Sequence, residues 1–203
     1  MSIENPRGLE LNRRRFIAIS KFITNPKLIE TLISYFDRLN WSHKGTAYFE
    51  VAQEDLKTLQ PLILNKILTV HGSSESFIYI ENTAGFKDLL NVLPGFISFI
   101  KENCSVLEDL FSLSRRTQLS IEVLIGSFLS FKFTGTWPDI IYTQGLLSEM
   151  ARERDLYILI SKYGITLPHR VADIASPLPA TEQEISEFKA SLSELLGVLS
   201  QEA

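Results

Sequence analysis

The apolar positions of this chain follow two periods, and the switches between them mark its elements. A helical spacing begins at Leu11 and puts Phe16, Ile19, Phe22 and Ile23 on one face. Asn25-Pro26 closes that helix and opens the next. Asparagine is a favoured N-cap, and proline at the first helical position gives up only an N–H that would be unpaired anyway. Leu28, Ile29, Leu32, Ile33, Phe36 and Leu39 then recur at steps of three and four, which predicts an amphipathic helix. A loop follows over residues 40–45. Residues 46–52 alternate, with Ala47, Phe49 and Val51 on one side and Tyr48 and Glu50 on the other, the pattern of a half-buried strand. Residues 54–70 return to a helical pattern, kinked or divided at Pro61. A polar turn over residues 71–75 leads into a second strand over residues 76–81.

Residues 86–116 read as mostly helical, with a break expected at Pro94-Gly95. Over residues 119–133 helix is the first reading, while the alternation of residues 127–134 keeps a third strand as the second. Gly135-Thr-Trp-Pro-Asp139 is a helix start, and that helix should run at least to Arg154. Gly164 and Pro168 favour a helix ending at Tyr163 over a short central strand at residues 156–160. Residues 166–180 hold Pro168, Pro177 and Pro179 with little periodicity, which predicts a linker or a surface strap.

The last segment carries the cleanest pattern. Thr181-Glu-Gln-Glu184 is a capping box, and Ile185, Phe188, Leu192, Leu195 and Leu199 follow at steps of 3-4-3-4. A helix of two heptads is marginal alone in water. The stripe must therefore dock, either on its own body or on another chain. Together these elements predict an α+β fold, mostly helical, with a small sheet of two or three strands and a C-terminal amphipathic helix. The expected organisation is a globular domain over residues 1–165, a proline-containing connection over 166–180 and an acidic helix over 181–203.

Composition narrows the class of protein. Of 203 residues, 45% are apolar and 22% charged, which suits folding around one core and excludes a disordered tail or a collagen-like rod. The net charge is −4, from 20 Lys and Arg against 24 Asp and Glu. Six of those acids and one base (Lys189) lie from Asp173 onward, so the acidity belongs to the tail. Nucleic acid is therefore an unfavoured partner, since phosphate binding rests on clustered cations. The most apolar run, residues 89–100, is interrupted by Pro94 and Gly95 and falls short of the roughly 20 residues of a spanning helix. The N-terminal residues carry no apolar signal region, and Cys104 is the single cysteine, so a reducing, cytoplasmic location is expected.

Candidate chemistry is sparse. Phosphate-binding glycine loops and the nucleophile elbow do not occur. His43, His71 and His169 are far apart, so no metal ion and no cofactor is expected. The turn His71-Gly-Ser-Ser-Glu75 gathers a base, two hydroxyls and a carboxylate, yet any solvated turn has that composition, and the plain reading is preferred. Trp41 could anchor a partner, but covering the end of the core is the preferred role. Cys104 is expected to be a small buried hydrophobe, and the bunched phenylalanines Phe96, Phe99, Phe111, Phe128, Phe131 and Phe133 a plain core. Arg13, Arg14 and Arg15 could meet an acidic partner, anionic lipid or nucleic acid, or receive the acidic C-terminal helix; a solvated helix start is the preferred reading, although their opposition to the positive end of their own helix is a small reason to expect a partner.

The functional expectation is a non-enzymatic, adaptor-like protein acting through protein contacts or self-association. Its contact residues would be Ile185, Phe188, Leu192, Leu195 and Leu199, with Arg13, Arg14 and Arg15. The alternatives are a binding module for a small apolar ligand or a membrane surface, and an enzyme whose site has no sequence signature.

Overall fold

A computed structural model describes residues 19–72, 76–134, 158–159, 162–163 and 178–201. Nine named elements run in the order α1 (Pro26–Phe36), β1 (Asn40–Trp41), β2 (Ala47–Glu50), α2 (Gln53–Leu64), β3 (Phe77–Ile80), α3 (Ala84–Glu102), α4 (Val106–Thr117), α5 (Ile121–Thr134) and α6 (Glu182–Gln201). The fold is α+β and mostly helical, with one antiparallel sheet of order β1-β2-β3. The chain divides into two units, one of residues 21–97 and 171–203, the other of residues 1–20 and 98–170.

The first unit is built on the sheet. Its register sets Asn40 opposite Tyr48, Tyr48 opposite Tyr79, and Glu50 opposite Phe77. Ala47, Phe49, Ile78 and Ile80 are buried on the inner face, as the alternation of β2 requires. Phe49 stacks on Tyr35 of α1 at 4.7 Å and meets Phe36 edge-on. The Tyr35 hydroxyl donates to the Asp55 carboxylate at 2.6 Å and accepts the Ala52 N–H at 3.1 Å, tying α1 to the start of α2. Burial and that bond to Asp55 push the Tyr35 phenol above its usual range. Beyond β3, Thr69 bridges Tyr79, and Pro179 bridges Glu81. Among the described residues the open edge of the sheet is therefore β1.

Helix α6 lies against α1. Phe188 is fully buried, 5.1 Å from the ring of Phe86 and 5.8 Å from that of Phe36. The capping box forms as its sequence predicts: the Thr181 N–H donates to Glu184 Oε2 at 2.9 Å, and the Glu184 N–H to Thr181 Oγ1 at 3.1 Å. Glu184 also pairs with Lys87 and accepts from the Asn82 amide at 3.0 Å, while Lys189 pairs with Asp37. Burial pushes the Glu184 carboxyl up. The Lys87 ammonium, the Thr181 N–H and the Asn82 amide outweigh it and hold the group down at about 2.

In the second unit α4 packs on α5. Val106, Leu107, Leu110 and Leu113 supply the buried face of α4, and Leu124, Ile125, Phe128 and Leu129 that of α5. Glu108 and Asp109 in the first turn of α4, and Arg115 and Arg116 in the last, complement the helix dipole, which gives that arginine pair a local role.

Residues 127–134 belong to helix α5, as the first reading of that stretch has it. Several expectations are corrected. The third strand is β1, inside the stretch expected to be a loop. Pro94-Gly95 does not break α3, because Pro94 sits on the exposed side, where water can satisfy the freed carbonyl. The break falls at residues 103–105, where the Asn103 side chain donates to the Phe99 carbonyl and competes with the next helical turn. Helix α2 continues through Pro61 but ends at Leu64, short of the expected Val70. Asn25 makes no side-chain cap bond to α1, although Pro26 takes the expected first position. Of the helix expected from Leu11 to the Asn25-Pro26 stop, residues 19–24 are helical and residues 11–18 lie outside the described residues, as does the helix expected over residues 136–154.

Candidate functional site

The predicted contact stripe is buried within its own chain. Ile185, Phe188, Leu192 and Leu195 are each no more than 5% exposed, and Leu199 is half-buried. In this conformation the seam is occupied by its own unit. Arg13, Arg14 and Arg15 lie outside the described residues.

The outer face of the sheet is different. Residues directly opposite each other in a ladder project to the same side, so Asn40, Tyr48, Tyr79 and Thr69 form one row across it, with Glu50 and Phe77 in the next. Tyr48 lies 5.5 Å from Tyr79 and 6.1 Å from Phe77, and the His71 ring meets Tyr79 edge-on at 5.0 Å. The result is a run of four rings, Phe77–Tyr48–Tyr79–His71. Tyr48, Phe77 and Tyr79 are half-buried and His71 is exposed. Two carboxylates bracket the run. Glu81 takes His71 Nε2 at 2.7 Å, and Glu50 is exposed with no ion-pair or hydrogen-bond partner among the described residues. No lysine or arginine occupies a described strand position of this face.

Trp41 stands opposite Ala47, on the inner side of the sheet, and is 46% exposed on the edge strand β1. The alternation of residues 46–52 places Tyr48 and Glu50 on one side of a strand, but only the β2–β3 register puts Tyr79 and Phe77 beside them, so the aromatic row has no signature in the sequence.

The remaining polar clusters read as fastenings. Asp109 accepts from Lys162 Nζ at 2.6 Å and from the Tyr163 hydroxyl, which also lies 2.9 Å from Ser105 Oγ. The bond from Lys162, then that from Tyr163, holds the Asp109 carboxyl below its usual range, and the bond to Asp109 raises Lys162. The cluster ties residues 162–163 to the first turn of α4. His71 with Glu81 makes an oriented imidazole, but Ser73, Ser74 and Glu75 of the same turn lie outside the described residues. Cys104, expected to be buried, is exposed because it falls in the connection after α3 rather than on a helix. Phe96 and Phe128 are buried core, as expected. Among the described residues no group of three His, Cys, Asp or Glu side chains could hold a metal ion, and no helix is long and apolar enough to cross a membrane.

Comparison of the chain with protein-family models, with curated proteins and with solved structures gives no match.

Proposed function

We propose that this is a non-enzymatic, adaptor-like interaction protein that engages a partner protein across the outer face of its sheet, in a reducing compartment such as the cytoplasm. The observation that carries the reading is the run Phe77–Tyr48–Tyr79–His71, half-exposed on a sheet whose inner face is already sealed. Aromatic rings offer large, stiff contact area with a polar edge and dominate binding energy at protein interfaces. The α6 seam, which the sequence offered for this role, packs on α1, which favours the sheet face as the contact surface.

A photo-crosslinking residue, p-benzoylphenylalanine, placed at Tyr48 in the cells that make the protein tests the reading. Glu108, exposed on α4, takes the same residue as a control. A discrete cross-linked protein at position 48 that does not form at position 108 supports the proposal. No product at position 48, or the same products at both positions, overturns it.

A further inference from the structure

We infer that the outer sheet face selects an arginine-bearing extended segment of its partner, an assignment that rests on the interaction reading above and supplies its chemistry. An aromatic row on a sheet suits two kinds of extended ligand, a single-stranded nucleic acid or a polypeptide, and the charges on this face separate them. Nucleic acid needs lysine or arginine beside the stacking rings, because phosphate contacts carry most of the affinity. Here the flanking charges are the Glu50 and Glu81 carboxylates, and no described strand position of the face holds a cation. A phosphate backbone laid across Tyr48 and Tyr79 would run toward the Glu50 carboxylate.

A guanidinium meets the same groups favourably. Its plane stacks on a tyrosine face, and its fork accommodates a carboxylate with two parallel hydrogen bonds. Tyr48 and Glu50 are alternate residues of β2, so both project to the outer side, and Phe77 stands opposite Glu50. One side chain can therefore lie over the ring of Tyr48 and reach the Glu50 carboxylate. Glu81 is already held by His71, which leaves Glu50 as the free carboxylate of the face among the described residues. An ammonium would satisfy the charge of Glu50 but lacks the planar surface for the ring, so arginine is selected over lysine.

Calorimetric titration of the full chain with a capped Gly-Arg-Gly-Arg-Gly peptide, its lysine counterpart and a single-stranded oligothymidine is the test, with the tyrosine ring resonances followed by NMR. The arginine peptide should bind most tightly and shift the Tyr48 and Tyr79 rings. Glu50→Lys should weaken it about tenfold, the scale of one lost ion pair with its ring contact. Glu50 is exposed, so this variant should keep the wild-type circular dichroism and melting temperature. As a second variant, Tyr79→Leu keeps an apolar side chain on the strand and should lose the same binding. Equal affinity for the lysine peptide, preference for the oligothymidine, binding that Glu50→Lys leaves unchanged, or no binding of any probe each overturns the inference. If cross-linking at position 48 persists while the arginine peptide fails, only the charge assignment falls. If both fail, the interaction reading falls with it.

Discussion

Replacing Glu184 by glutamine isolates the charge that fastens α6 to the start of α3. Glutamine can still accept the Thr181 N–H, so the capping box survives and the negative charge beside Lys87 is what disappears. The carboxyl has an ordinary value of 4.5 and is held at about 2 in the folded chain. At about 1.4 kcal/mol per pH unit, that displacement corresponds to about 3 kcal/mol. The Glu184 and Lys87 side chains keep 18% and 28% exposure, so water screens part of the interaction and a measured loss of about 1–2 kcal/mol is expected. The folded value lies below the unfolded one, so on acidification the unfolded chain takes up this proton first. The contribution is therefore complete above pH 4.5 and is lost as the pH falls toward 2. Urea unfolding followed by far-ultraviolet circular dichroism, repeated from about pH 7 down to about pH 2.5, measures it. The wild-type advantage over E184Q should be flat above about pH 5 and should shrink toward zero in the most acid samples. An advantage of the same size at both ends of the range would place the loss in packing or capping and refute the charge argument.

Two glycines should respond in opposite directions. A Cβ on Gly85 would sit 2.6 Å from the Asn65 carbonyl oxygen and 2.8 Å from that of Lys66, both backbone, so Gly85→Ala should cost about 1–3 kcal/mol in urea unfolding. Gly197 is exposed on α6 with nothing within 4 Å, so Gly197→Ala should instead stabilise by up to about 1 kcal/mol. Tyr35→Phe keeps the stack on Phe49 but strands the Ala52 N–H and the Asp55 carboxylate, and should lower stability by about 1–2 kcal/mol in the same assay. Exposed Cys104 should react with a disulfide thiol reagent in the native protein as readily as in urea, and native-state protection would contradict its placement.

What the sequence disclosed, and what it hid, follows from the range over which each signal acts. The capping box needs residues three apart, and Thr181 and Glu184 are enough to see it. The buried faces of α1 and α6 are likewise legible, since a helix repeats its inward side every three or four residues. Strand β1 is two residues long and has no period to read. Pro94 misleads because its cost depends on whether its side of the helix meets water, which the local sequence does not state. The stripe on α6 announces that it must be covered. Naming its cover requires knowing that Phe36 and Phe86, some 150 and 100 residues away, converge on Phe188. The aromatic row fails to appear for the same reason. Tyr48 and Tyr79 lie on separate strands, and the ladder alone makes them neighbours.

The two apolar surfaces of the first unit are finished to different degrees, and that difference argues for a role outside folding. Along the α6 seam, four side chains reach 5% exposure or less against partners of their own kind, which is what burial for stability looks like. On the outer sheet face the rings touch one another but keep a side toward water. Cross-strand aromatic pairs of this sort contribute about 0.2–1 kcal/mol each, so the Tyr48–Tyr79 and Tyr48–Phe77 contacts together supply at most about 2 kcal/mol. Threonine or valine would serve a three-stranded sheet at comparable strand propensity with less exposed apolar area. An adjoining aromatic surface left partly wet is also a liability for aggregation, and soluble proteins keep such patches where something binds. The free carboxylate of Glu50 at the end of the row has no structural task among the described residues. Stability therefore accounts for the seam almost completely and for the sheet face only in part, and it is this remainder that favours the proposed recognition of a partner.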